Sequence, residues 1–200
     1  MATAVTITIT LAMLVICASG AVPGSSRPDP SDAPATARWL VAQSAWGVLS
    51  TISIHLEGAP WGNVAAFSDG PVGSSGGTPF FYLSRMDPTP NDITLDSRCS
   101  LTLSEASLGT CGSVDPENPT CARLTLSGKM MEITDQQELD FAALALFSKH
   151  PEMPDWPKWH KWIFYKLDIL NIYLLDNYGG AKPVTVSEYY RGHAQAALTS

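Results

Sequence analysis

Hydrophobic and polar positions alternate along much of this chain, and the alternation stops at proline- and glycine-rich stretches. "GVLSTISIHLEG" (Gly47–Gly58) is β-branched with period-two polarity; the turn "EGAP" and then "WGNVAAFSDG" (Trp61–Gly70) follow it. The pair predicts a β-hairpin. Past the loop "GPVGSSGG", "TPFFYLS" (Thr78–Ser84) predicts a third strand, Cys99–Ser104 a fourth and "ARLTLSGKMMEIT" (Ala122–Thr134) a fifth. "KWIFYKLDI" and "NIYLLD" predict two last strands separated by a brief turn.

Helical periodicity is confined to the gaps and ends. "SDAPATARWLVAQSAW" predicts a first helix capped by Ser31 or Asp32, with Trp39, Leu40, Gln43 and Trp46 near one face and Gly47 as its stop. "RMDPTPNDITLDS" predicts a short helix after Pro88 and Pro90. Asp135 with Glu138, and Thr185 with Glu188, read as capping boxes for two further helices. Leu139, Ala143, Leu146 and Phe147 form the apolar stripe of the first of these, which His150-Pro151 stops. The order is helix, six or seven antiparallel-type strands and inserted helices. It predicts a mainly-β fold, a closed or partly closed Greek-key barrel with helices over its openings.

The N-terminus has its own pattern. Residues 1–21 carry no charged side chain and hold the apolar run Leu11–Ala18, so they read as a secretory signal cleaved after Ala18, Gly20 or Ala21. The competing reading, a membrane anchor, needs about 20 predominantly apolar residues. Residues 22–33, rich in Pro, Ser and Asp, are expected to form a mobile linker, and 34–195 one domain. The net charge of −7 and pI near 4.9 argue against a nucleic-acid surface.

Removing the signal leaves Cys99, Cys111 and Cys121. Cys111 and Cys121 bracket the turn-rich "GSVDPENPT", so in an oxidising compartment they can form a disulfide hairpin; two unpaired thiols are the alternative. Cys99 reads as a buried small hydrophobe.

Chemistry is harder to find. No phosphate-binding, zinc-protease or nucleophile-elbow motif occurs. His55, His150, His160 and His193 lack partners at metal-ligand spacing, and Met153 reads as a gap-filler. Asp69, Asp168 and Asp176 read as turn caps at strand ends. The stretch "HPEMPDWPKWHKWIFY" (His150–Tyr165) reads as a proline-stiffened crossover whose tryptophans seal one end of the barrel.

These pieces together resemble the CREG family, secreted cellular repressors of stimulated genes, from about Arg38 to Tyr190. The resemblance is carried by "WGVLSTIS", "FSDG", "PFFYLS", the paired cysteines, "LSG", "HPEM", "WP", "KLDI", "LDNYGG" and "VTVSEYY". It implies an FMN-binding split barrel like pyridoxamine-phosphate oxidase, a homodimer, and passage through the secretory and endolysosomal route. It also implies a non-enzymatic role in growth control, differentiation or lysosomal function, exerted through protein contacts, with the flavin position obstructed. One departure concerns glycans. The chain has no N-x-Ser/Thr acceptor, since Pro119 disqualifies Asn118-Pro119-Thr120.

Flavin binding has a physical requirement of its own, because the FMN phosphate needs cations. Ser50, Thr51, Arg85 and Lys129 are the candidate FMN residues if the chain is a flavin-dependent oxidoreductase; otherwise catalytic, cofactor and metal residues are expected to be absent. The loop Ser107–Thr120, clamped by Cys111 and Cys121, is expected to lie over the ancestral cofactor cleft. A third reading is a metal- or haem-handling protein using His150, His160 and Met153.

Overall fold

The computed structural model describes residues 26–196, so the expected signal segment, 1–21, lies outside the described residues. Among the described residues seven strands form: β1 (Trp46–Ile52), β2 (Pro60–Ser68), β3 (Phe80–Ser84), β4 (Arg98–Ser104), β5 (Arg123–Glu132), β6 (Trp162–Leu175) and β7 (Lys182–Val184). They run β3-β2-β1-β4-β5-β6-β7, every neighbour antiparallel, and β3 also pairs with β6. Six strands therefore close into a barrel, with β7 attached outside β6. Four helices cover it: α1 (Ala33–Gln43), α2 (Pro88–Leu95), α3 (Gln136–Lys149) and α4 (Val186–Ala196).

Alternation fills the interior. Leu49, Phe67, Phe81, Leu101, Leu124, Leu126, Leu167 and Leu174 are fully buried in one cluster. Each such side chain contributes about 1.5–3 kcal/mol relative to exposure. A second cluster lies under α3, where Phe80, Ile133, Ala142, Ala145 and Leu146 surround the buried Met153. Met153 fills a gap there, as its flexible thioether suits it to do.

Three expectations change. The two last strands are one, β6, because the break in alternation at Leu170 is a bulge: Ser127 pairs with Asn171 but Gly128 with Ile169. Gly128 permits this, since a Cβ there would stand 1.9 Å from the Asp168 carbonyl oxygen. Next, α1 ends at Gln43, and Trp46 opens β1 on its outer face, 45% exposed. Gly47 is no helix stop; it lets β1 approach β4, where a Cβ would meet Leu103 at 2.5 Å. Finally, Glu138 does not complete the first capping box. Asp135 accepts from its backbone N–H at 2.9 Å, while its carboxylate takes the Lys166 ammonium at 2.6 and 2.8 Å.

The Thr185–Glu188 box is complete, with Thr185 N–H donating to Glu188 at 3.0 Å and Glu188 N–H to Thr185 Oγ1 at 3.2 Å. Upstream of α1, Arg27 crosses onto the barrel: its guanidinium pairs with the buried Glu105 at 2.9 Å and donates to the Thr120 and Asp176 carbonyls. This part of the expected linker is anchored.

Candidate functional site

The barrel has one weak seam. β2 and β3 share only the pairs Phe67–Phe81 and Ser68–Phe80, and the strands then part. Between Asn63–Ala66 of β2 and Tyr82–Ser84 of β3 opens a cleft of about 360 Å³. The start of α2 closes one end of it. Asp87 caps α2 by accepting from Thr89 N–H at 2.8 Å, and its carboxylate also takes the Asn63 side-chain amide at 2.9 and 3.1 Å. That amide ties β2 to the head of α2 beside the place where β2 and β3 have ceased to pair.

Aromatic rings make the opposite wall. Tyr82 lies 5.2 Å from Trp162 and 6.4 Å from Trp156, both near parallel, and His160 stacks on Trp162 at 5.6 Å. The prolines set this wall. Met153–Asp155 and Lys158–His160 form single 3₁₀ turns, and the Trp162 indole donates to the Pro157 carbonyl at 3.0 Å. Ser84 Oγ donates to the His160 carbonyl at 2.7 Å, tying the crossover to β3. Burial raises the Tyr82 pKa, which keeps the phenol neutral. Trp156 and Trp162 are half-buried and line the cleft rather than plug the barrel, while Trp159 is 69% exposed and not among the lining residues.

The four candidate FMN residues are not gathered here. Thr51 points inward, buried, its hydroxyl donating to Asp92 at 2.9 Å. Its neighbour Ser50 pairs with Gly62 and Ser100 on the outer face. Lys129 pairs with Arg98 and Asp168. Arg85 follows β3 but engages Glu132 at 3.4 Å. The residues lining the cleft include no Arg or Lys and one carboxylate, Asp87. This donor set does not fit the phosphate of FMN.

The Cys111–Cys121 disulfide forms, and its loop is held by Thr110 on Glu105 and by Arg123 on the Glu117 carbonyl. Within one chain this loop does not cover the cleft. Arg123 pairs with Leu175 at one end of β6 and Ser84 with Trp162 at the other, about 40 Å apart along an extended strand. Cys99 is buried, and desolvation pushes its thiol up to about 12.

The metal reading finds its residues otherwise employed. His150 Nε2 meets the Phe67 carbonyl at 2.9 Å and burial lowers its pKa, while Met153 is enclosed in the second core. No group of three or more His, Cys, Asp or Glu that could hold a metal occurs among the described residues.

Sequence reasoning missed Asp87 and Asn63. The capping role of Asp87 before Pro88 was open to reading; its partner 24 residues earlier was not. It read Asp69 as a turn cap, which holds, but not the buried network behind β2 to which Asp69 belongs. Asp69 accepts from Ser75 Oγ and from Gly77 N–H, Arg38 donates to Ser75 at 3.0 Å, and Tyr189 donates to the Gly77 carbonyl at 2.8 Å. It pins "FSDG" and its loop between α1 and α4.

A six-stranded antiparallel barrel, closed through β3–β6 and parted between β2 and β3, defines a split barrel of the pyridoxamine-phosphate-oxidase type. Solved structures share the fold. A heme binding protein from Mycobacterium smegmatis superposes with a TM-score of 0.64 at 20% identity, covering 84% of this chain and 62% of that one. ChuZ from Campylobacter jejuni gives 0.58 at 12%, covering 75% and 58%.

The chain belongs to the CREG family: the family model described as CREG, beta-barrel matches residues 28–191. It is 41% identical to human Protein CREG2 over 86% of this chain and 60% of that protein, so it spans about three fifths of that relative. It is 39% identical to chicken Protein CREG1 over 90% of this chain and 96% of the relative. Human Protein CREG1 is 40% identical over 82% and 76%.

Proposed function

We propose that this chain is a non-catalytic, secreted or endolysosomal CREG-family protein that acts through protein contacts. The observation that carries the reading is the lining of the cleft. Where the fold parts, it offers aromatic rings and a carboxylate, and Arg85, which lies between the lining residues Ser84 and Met86 in sequence, pairs with Glu132. An anionic cofactor placed there would face Asp87 without a cation to offset it. No helix among the described residues is long and apolar enough to cross a membrane, which is compatible with a secreted chain.

The expected homodimer has a suitable surface. On the outer face of the sheet, Val64 pairs with Val48, Val48 with Thr102, Thr102 with Thr125 and Thr125 with Tyr173. Val64, Val48 and Tyr173 are 66%, 38% and 51% exposed, and Trp46 adds to them. A row of this kind, valines and a tyrosine with Thr102 and Thr125 between them, offers an association surface.

The test is a flavin titration of the purified, secreted protein. A colourless protein that leaves FMN fluorescence unquenched supports the reading. Saturable quenching by FMN would replace it with the flavin-dependent oxidoreductase. Sedimentation velocity on the same sample reads the dimer, and Val48→Glu should give monomers.

A further inference from the structure

We propose that the turn Pro157–Lys161, on the crossover between α3 and β6, seats on an anionic phospholipid bilayer with Trp159 at headgroup level. The proposal goes beyond the reading above and does not depend on it. Trp159 is 69% exposed, and Pro151, Pro154 and Pro157 of the same crossover are exposed with it. Lys158 and Lys161 flank the indole in sequence. Both are exposed, and neither pairs with a carboxylate among the described residues.

The turn stands apart from the cleft and from the expected dimer surface. Trp159 does not line the cleft, and His160 lies between its ring and that of Trp162, with centroids 3.9 and 5.6 Å away. The outer row ends on β6 at Tyr173, about 36 Å along an extended strand from Trp162. At the row's other end, the width of the cleft separates Val64 from the aromatic wall.

The backbone presents the ring and has little to lose on leaving water. The Pro157 carbonyl accepts from the His160 N–H at 3.1 Å and from the Trp162 indole at 3.0 Å, and the Lys161 N–H donates to the Lys158 carbonyl at 3.2 Å. Lys161 has φ 54°, a strained conformation for a lysine that persists only where its surroundings hold it. Unpartnered N–H groups oppose entry into a lipid interface. Pro157 has none, and those of His160 and Lys161 are already spent within the turn.

The side chains select the surface. An indole is mostly apolar with one N–H donor, and it collects at the boundary between membrane and water for that reason. Lysines beside it can lay their stems along the apolar level and reach anionic headgroups. A laterally continuous anionic surface meets both ammonium groups whatever rotamers they take. The net charge of −7 opposes the approach, as do Glu152 and Asp155 earlier in the crossover. Salt screens charges beyond about 8 Å, so the groups at the contact decide it.

The experiment is co-sedimentation of the full secreted chain with two sets of vesicles. One is phosphatidylcholine alone, and the other contains about one third phosphatidylserine. Partition onto the mixed vesicles should be at least about tenfold stronger, and should weaken between about 0.1 M and about 0.5 M salt. Tryptophan emission should be quenched by brominated acyl chains. Trp159→Ala, an exposed position whose loss leaves the fold intact, should weaken partition about tenfold and remove most of that quenching. Lys158→Gln with Lys161→Gln should erase the preference for phosphatidylserine. Tyr178→Ala, at an aromatic side chain 70% exposed beyond the other end of β6, should change nothing. Failure of the folded chain to partition at about 1 mM lipid would overturn the proposal. So would equal partition by Trp159→Ala, which would leave the exposed indole to a protein partner.

Discussion

Asn63 on β2 and Asp87 at the head of α2 meet side chain to side chain, at 2.9 and 3.1 Å, beside the place where β2 and β3 separate. The contact ties β2 to α2 by one charge-assisted bridge. Asp87 also satisfies an N–H in the first turn of α2. Removing it therefore frees two donors at once. Asp87→Ala should cost about 2–3 kcal/mol and Asn63→Ala about 1–2 kcal/mol in urea unfolding. Their double mutant should cost less than the sum, because the bridge is counted in both.

Trp162 and Trp159 separate burial from sequence proximity. Trp162 is stacked between Tyr82 and His160 and holds the Pro157 carbonyl, yet remains half-buried. Trp162→Ala should cost about 2 kcal/mol, below the full penalty for an enclosed core tryptophan. Trp159 is 69% exposed, so Trp159→Ala should change thermal stability by about 0.5 kcal/mol or less. Equal effects from the two would contradict the placement of the crossover.

His150 gives the fold an acid sensitivity. Burial holds its pKa below the ordinary 6.5, against a smaller opposing effect from the Phe67 carbonyl. Above pH 6.5 both folded and unfolded chains keep the ring neutral, and it contributes no slope. As pH falls through 6.5, the unfolded chain takes up the proton first, so stability is lost until the folded-state pKa is reached. Melting temperature should therefore fall between pH 7.5 and 5, and His150→Gln should flatten that part of the decline.

Arg27 and Glu105 form a pair in which one partner is nearly out of water: the side chains are 27% and 2% exposed. Arg27→Ala strands a buried carboxylate and should cost about 3 kcal/mol. Adding Glu105→Gln to Arg27→Ala should recover part of that loss, since the remaining amide carries no charge. Thermal melts of the three variants decide it.

Cys99 should resist alkylation in the folded chain, because it is buried and its thiol titrates near 12. Iodoacetamide at pH 8 should label it only in denaturant. Rapid labelling under native conditions would mean the barrel opens at β4.

Much of this architecture was legible. Strand alternation, the capping residues and the cysteine-bracketed turn each depend on neighbours close in sequence, and all three reappear in the structure. Leu170 misled because a bulge and a turn interrupt period two in the same way. Trp46 misled because it falls in helical phase with Trp39 and Gln43 while the chain has already become extended at Ser44. The site was less legible still. Ser50 and Thr51 are adjacent in sequence and face opposite sides of β1, and nothing local ties Asn63 to Asp87. Which strands part, and which side chains face the gap, is settled by barrel closure.

Cys111 and Cys121 enclose a surface loop that includes Gly112, Asp115 and Glu117, all exposed. A peptide bond hydrolysed inside that ring would leave both fragments joined through sulfur. The nicked molecule would keep its mass plus one water and migrate as a single band until a reductant was added.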